Sequence, residues 1–198
     1  LMNLPNRISV FRLVLIPIIV LVWYFPYAQF GIELLVYYIG TVSISLKNLI
    51  TLGIFVLGAL SDLIDGIIAR TTNQITTFGK FIDPIADKCL TTTLFIIFAA
   101  SNIINAIPVL IMVWRDTIVD GIRLIAASKN YIMAAGSLGK IKTVSQMFCI
   151  ILILLNNLPF ELISLPVADI LLWFSTIISV LGGIDYFNQA KSIIFESK

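Results

Sequence analysis

The chain contains no histidine. That absence removes every His-based catalytic triad, histidine proton relay and histidine-ligated zinc site in one step. Charge is scarce too: 12% of residues are charged and 59% are hydrophobic, whereas soluble domains are about half apolar and about a quarter charged. So little polar surface cannot keep a 198-residue monomer in water, and a polytopic membrane protein is the expected class. Cysteine is equally thin. Cys89 and Cys149 stand singly in apolar stretches, belong to no C-x-x-C pair and are expected to be inert thiols. No small-residue cleavage site follows the apolar stretch 13–25, and further apolar segments do, so a retained first helix is expected there. Repeats and low-complexity tracts are missing as well, and a single domain over residues 1–198 is expected. A net charge of only +2 gives no sign of a polyanionic partner, and no nucleic acid is expected.

What the chain does have is a row of apolar segments, at about 8–26, 48–70, 80–101, 104–127, 140–158 and 167–189. Each approaches the roughly 20 residues that cross a hydrocarbon layer, so an all-α fold of six transmembrane helices is expected. Residues 28–47 are apolar enough to lie in the membrane surface or to form a short extra helix; a non-cytoplasmic excursion is the preferred reading. On an up-and-down path, Arg7, Arg12, Arg70, Lys80, Lys88, Arg115, Arg123, Lys129, Lys140, Lys142, Lys191 and Lys198 fall towards one side, and only Lys47 falls on the other. Basic residues collect on the cytoplasmic side, so both termini are expected there, in a bacterial cytoplasmic membrane. The uninterrupted apolar runs, 49–60, 90–100, 103–114 and 144–155, are each too short to cross alone. Each helix completes its crossing with a charged section, which costs at least a few kcal/mol near mid-bilayer. Antiparallel threading brings those sections to one side, which predicts a polar cavity open to the cytoplasm beneath an apolar roof.

The densest chemistry lies in Ser61-Asp62-Leu63-Ile64-Asp65-Gly66-Ile67-Ile68-Ala69-Arg70 and Phe78-Gly79-Lys80-Phe81-Ile82-Asp83-Pro84-Ile85-Ala86-Asp87. At about 100° per residue, Asp62, Asp65, Gly66, Ala69 and Arg70 share an arc of roughly 140°, and Gly79, Asp83 and Asp87 one of roughly 80°. Two such stripes facing each other make an oxygen-rich pocket. Like charges raise one another's pKa, so four clustered carboxylates need compensation. Hard divalent cations provide it, and Mg²⁺ or Mn²⁺ is usual where phosphates are handled. Two such ions about 4 Å apart can stabilise both oxygens of a displacement at phosphorus. The small side chains of Gly66, Ala69 and Gly79 would admit a nucleotide close to the backbone, and Arg70 can pair with a phosphate. A plainer alternative pairs these aspartates with Lys80, Lys88, Arg70 and Arg115; four carboxylates at these spacings weigh against it. A divalent-cation transporter is another, but it leaves the glycine, alanine and arginine pattern without a role.

The run Asp-x2-Asp-Gly-x2-Ala-Arg-x8-Gly-x3-Asp-x3-Asp is matched without a gap from Asp62 to Asp87. In this the chain resembles the CDP-alcohol phosphatidyltransferases. The resemblance implies a six-helix fold, a homodimer and a two-metal site. It makes Asp62, Asp65 and Asp83 metal ligands, and Asp87 the general base and a further ligand. It also places the CDP-lipid against Asn6, Gly66, Ala69, Arg70 and Gly79.

Two further stretches, Asn3-Leu4-Pro5-Asn6-Arg7-Ile8-Ser9-Val10-Phe11-Arg12 with Pro17, and Ala134-Ala135-Gly136-Ser137-Leu138-Gly139-Lys140-Ile141-Lys142-Thr143, are similar to the branch of the family whose acceptor is glycerol 3-phosphate. Lys140 and Lys142 flank a helix start, with Thr143 adding a hydroxyl, an arrangement that suits a phosphate. Arg115 and Arg123 lie two turns apart near one face of helix four. Positive-inside anchoring or contact with anionic headgroups is the plainer reading of these cations. The resemblance implies instead that the 1-hydroxyl of glycerol 3-phosphate attacks CDP-diacylglycerol and CMP leaves, within a setting of membrane lipids. Phosphatidylglycerol, serine or inositol phosphate remain alternative acceptors. Asp120 stands where a small hydroxyl residue is expected, and Ser9 where threonine is usual. Asp116 with Arg115, and Asp120 with Arg123, can also be read as simple ion pairs.

Overall fold

The computed structural model describes residues 4–71, 77–129, 131, 133 and 136–194; the side chains of residues 4, 5, 63, 65–71, 77–81, 83, 84 and 192–194 lie outside the described set. Its long helices are α1 (Leu4–Tyr24), α2 (Leu46–Thr71), α3 (Thr77–Ala100), α4 (Ala106–Ser128), α5 (Ser137–Leu154) and α6 (Val167–Ile194). They match the expected segments to within a few residues, and the local chemistry explains the shifted ends. Helix α1 stops early because Phe25 precedes Pro26, and the residue before a proline disfavours helical backbone. Helix α5 stops short of residue 158 because Asn156 and Asn157 turn to positive φ, 51° and 61°. Asparagine tolerates that region better than most residues. The Asn157 side chain then ties the loop to α6, accepting from the Ala168 amide at 3.0 Å and donating to the Leu165 carbonyl at 2.6 Å. Asn105 caps α4 by accepting from the Ile107 amide at 2.9 Å.

The segment between α1 and α2 corrects the purely helical expectation. After a single 3₁₀ turn (Tyr27–Phe30) it forms an antiparallel hairpin, β1 (Val36–Ile39) with β2 (Val42–Ser45), in which Val36 faces Ser45 and Ile39 faces Val42. The β-branched and aromatic residues favour extended backbone, and Gly40, at φ +62°, supplies the positive φ that a two-residue loop needs. Val42 and Ile44 are buried against the bundle, while β1 is exposed along its whole length.

Helix α1 packs against both α2 and α3, and α6 against both α4 and α5. The core joins these two groups: Ile19 and Trp23 from α1, Phe55 from α2, Leu94 and Phe98 from α3, Met112 from α4, Ile150 and Leu154 from α5, and Leu172 from α6. These residues come from the end of each odd-numbered helix and the start of each even-numbered one, so the apolar core fills the half of the bundle nearer the hairpin. The charged stretches of α2, α3, α4 and α5 are left to the other half. Among the described residues, three segments are long and apolar enough to cross a membrane: Asn6–Tyr24, Ser137–Leu154 and Val167–Lys191.

Phe98 is the pivot of the core, fully buried, with Trp23 meeting its ring edge-on at a centroid distance of 5.6 Å. Phe98→Ala should lower the thermal midpoint in detergent clearly. The expected cost is near the lower end of the roughly 3–5 kcal/mol seen for buried phenylalanine, because burial out of lipid adds less transfer energy than burial out of water.

Candidate active site

The site begins with one arginine. Arg12 lies midway along α1, and its side chain is completely buried. Gly58 makes the close approach possible: a Cβ there would meet Leu90 Cδ2 at 2.7 Å and Arg12 Cγ at 3.9 Å. Because α1 packs on both α2 and α3, the guanidinium reaches a carboxylate on each. Its Nη1 is 2.7 Å from Asp62 Oδ1 and 3.8 Å from Asp87 Oδ1. Asp62 and Asp87 remain about one-third exposed, at 32% and 33%. The two aspartates therefore do converge, as their spacing predicts, but with a cation from a third helix between them. Arg12 entered the sequence reading as a cytoplasmic-side charge and as the end of the amino-terminal stretch, and its pairing with these carboxylates was not foreseen.

Asp65, Gly66, Ala69 and Arg70 lie on α2, and Gly79 and Asp83 on α3; their side chains fall outside the described set. Asn6, the remaining member of the expected CDP-lipid group, is buried on α1 less than two turns before Arg12. Among the described residues no three potential ligands gather to hold a metal ion. The pair that is described, Asp62 and Asp87, fits a hard divalent cation in kind: both are carboxylate donors, partly open, and drawn towards one positive charge.

Beside Asp87 opens a cavity of about 560 Å³. Arg115, Arg123, Lys140, Lys142 and Thr143, drawn from α4 and α5, all line it together with Asp87. Lys142 is buried and donates to both Asp116 oxygens, at 2.5 and 2.6 Å. Arg115 donates from Nη1 to Asp116 at 3.0 Å and from Nε to the Ser179 carbonyl at 2.7 Å. The expected Arg115–Asp116 pair is therefore present, with Lys142 as a second cation on the same carboxylate. Asp120 differs from expectation: it pairs with Lys88, and Arg123 donates instead to the Tyr186 hydroxyl at 2.6 Å. Thr143 spends its hydroxyl proton on the Gly139 carbonyl at 3.1 Å.

Helix α6 forms the wall that sequence reasoning missed. A Cβ on Gly182 would meet Arg115 Nη2 at 2.9 Å, and one on Gly183 would meet Arg115 Cγ at 3.0 Å. The two glycines are thus the trough in which the arginine lies. Arg115 and Arg123 also lie over the Tyr186 ring, at 5.8 and 4.8 Å from its centroid. The available signal was the spacing of Ser179, Gly182, Gly183 and Tyr186, which puts one small-residue stripe ending in a phenol on a single helix face.

Comparison with known proteins agrees with this geometry. Residues 2–181 match the family model for CDP-alcohol phosphatidyltransferase. A Bacillus subtilis protein named CDP-diacylglycerol–glycerol-3-phosphate 3-phosphatidyltransferase is 38% identical over 187 residues, covering 94% of each chain. Proteins of the same name from Rickettsia felis and Rickettsia typhi are 32% and 31% identical, and each alignment covers 96% of this chain and at least 96% of the relative. The chain belongs to the CDP-alcohol phosphatidyltransferase family.

Proposed function

We propose that this membrane transferase moves the phosphatidyl group of CDP-diacylglycerol onto glycerol 3-phosphate, forming phosphatidylglycerophosphate and CMP for phospholipid synthesis. The observation that carries the reading is the single cavity in which Asp87 adjoins Arg115, Arg123, Lys140 and Lys142. A carboxylate next to a cluster of cations accommodates an alcohol whose other end is a phosphate monoester. The relatives' shared name points to the same acceptor.

In this reading Asp87 accepts the proton of the 1-hydroxyl as its oxygen bonds to the phosphorus of the lipid phosphate. The bond from that phosphorus to the CMP oxygen breaks, and CMP leaves with the electron pair. Arg12 holds Asp87 and Asp62 in register from behind. Asp116 keeps Lys142 and Arg115 aimed along one edge of the cavity. Lys88 offsets Asp120, so the unexpected aspartate need not repel an anionic acceptor. Most of the acceleration comes from positioning and fixed charge. Asp62, Asp65, Asp83 and Asp87 would hold two divalent cations, Mg²⁺ or Mn²⁺, whose chemistry when bound is Lewis-acid stabilisation of charge at phosphorus. Asn6, Gly66, Ala69, Arg70 and Gly79 complete the proposal as the CDP-lipid surface. All six long helices cross the membrane, with the cavity and both termini cytoplasmic; the gathering of cations at the cavity half supports this orientation. A homodimer, as the family resemblance implies, completes the assembly.

Asp87→Asn keeps the size of the side chain and removes the proposed base, so it should abolish turnover while sparing much of the CDP-lipid affinity. Arg123→Ala and Lys142→Ala remove binding charge instead. A charge-assisted hydrogen bond to phosphate is worth roughly 1.5–3 kcal/mol, so each should raise the glycerol 3-phosphate KM about tenfold or more. The CDP-diacylglycerol KM should move far less, and steady-state kinetics with each substrate varied in turn reads both. Separately, excess chelator should stop turnover and Mg²⁺ or Mn²⁺ should restore it; undiminished activity in chelator would remove the metal assignment.

A further inference from the structure

Tyr186 is buried on α6, lines the cavity shared with Asp87, and has no part in the chemistry derived above. Its hydroxyl oxygen accepts from Arg123 Nη2 at 2.6 Å and, more weakly, from the Gly136 amide at 3.4 Å. A phenol that accepts still has one proton to donate. Among the described residues that proton finds no acceptor. Two neighbouring donors share this condition: Arg115 Nη2 and Arg123 Nε are buried without a partner among the described residues. Both guanidinium groups lie over the Tyr186 ring; Arg115 Nη2 rests against Gly182, and both arginines line the cavity together with the phenol. Buried donors left unanswered are costly, and such a cluster marks where acceptor oxygens of a ligand belong. Accepting from a guanidinium also polarises the phenol and makes it a better donor.

We propose that Tyr186 is an acceptor-binding residue, whose hydroxyl takes a hydrogen bond from Arg123 and donates its own proton to a phosphate oxygen of the acceptor. The inference rests on the phosphorylated-acceptor reading and adds a neutral donor to its cations. Its ring also packs against both guanidinium groups, so the phosphate meets a guanidinium and a phenol already bonded to each other rather than loose cations. This favours a terminal phosphate monoester, with several free oxygens to be shared, over a carboxylate or an uncharged headgroup.

The test is steady-state kinetics of the full-length protein in detergent–lipid micelles, comparing wild type, Tyr186→Phe and Arg123→Ala. Tyr186→Phe keeps the ring beneath both arginines and removes only the hydroxyl. It should raise the glycerol 3-phosphate KM about tenfold, leave kcat within about twofold, and leave the CDP-diacylglycerol KM unchanged. Inorganic phosphate, used as a competitive inhibitor, should weaken in parallel. If Arg123→Ala raises the acceptor KM and Tyr186→Phe does not, the tyrosine is only a support and the inference fails while the acceptor reading stands. If Tyr186→Phe lowers the thermal midpoint and shifts both substrates' KM together, its role is structural and the inference fails in the same way. If neither variant changes the acceptor KM or phosphate inhibition, the phosphorylated-acceptor reading fails and takes this inference with it.

Discussion

Carboxylates placed inside an apolar helical bundle must be given positive charge, and the architecture of this chain follows from that requirement. Arg12 meets it for Asp62 and Asp87 from a helix that carries neither. The arginine is buried where α1 sits against both α2 and α3, beside Gly58, where a Cβ would crowd Leu90 Cδ2 at 2.7 Å and touch Arg12 Cγ at 3.9 Å. A lone buried charge would be strongly destabilising, whereas one held between two carboxylates is compensated. Both aspartates on α2 and α3 are thereby held partly open, Asp87 at the edge of the cavity.

The same logic repeats across the cavity with the signs reversed. Cations dominate there, and each carboxylate present restrains some of them. Asp116 joins Lys142 on α5 to Arg115 on α4, and Asp120 engages Lys88 on α3. Helix α6 holds Arg115 and Arg123 without any charge, through the Ser179 carbonyl, the trough at Gly182 and Gly183, and the phenol of Tyr186. Side chains restrained this way are in place before any ligand arrives, which reduces the ordering entropy that binding must overcome. The opposite half of the bundle is filled by the Leu94, Phe98, Met112 and Leu154 core.

Much of this was legible in the sequence because charge in an apolar chain is rare and therefore informative. The helical segments and the grouping of charged sections followed from spacing and antiparallel threading, and the family resemblance drew Arg115, Arg123, Lys140, Lys142 and Thr143 into one group, which lines a cavity with Asp87. Arg12 was not paired with the aspartates because the cations weighed against them were Arg70, Lys80, Lys88 and Arg115, while its partners lie 50 and 75 positions away. Tyr186, Gly182 and Gly183 escaped because they carry no charge and sit in a largely apolar helix from which no site residue was drawn. The hairpin was missed for a different reason: a short run of valine, isoleucine and tyrosine reads equally well as strand or as apolar helix until the turn at Gly40 is recognised.

The central claim is that one pocket joins a lipid-phosphate transfer to an acceptor recognised by its own phosphate. The most direct measurement is an acceptor panel. Purified protein would receive labelled CDP-diacylglycerol with Mg²⁺ or Mn²⁺, and glycerol 3-phosphate, glycerol, serine, inositol phosphate or phosphatidylglycerol in turn, with the labelled lipid product identified. The account predicts phosphatidylglycerophosphate from glycerol 3-phosphate and essentially no product from glycerol, which has the same attacking hydroxyl but no phosphate. Comparable transfer to glycerol, or preferred transfer to serine or phosphatidylglycerol, would contradict it.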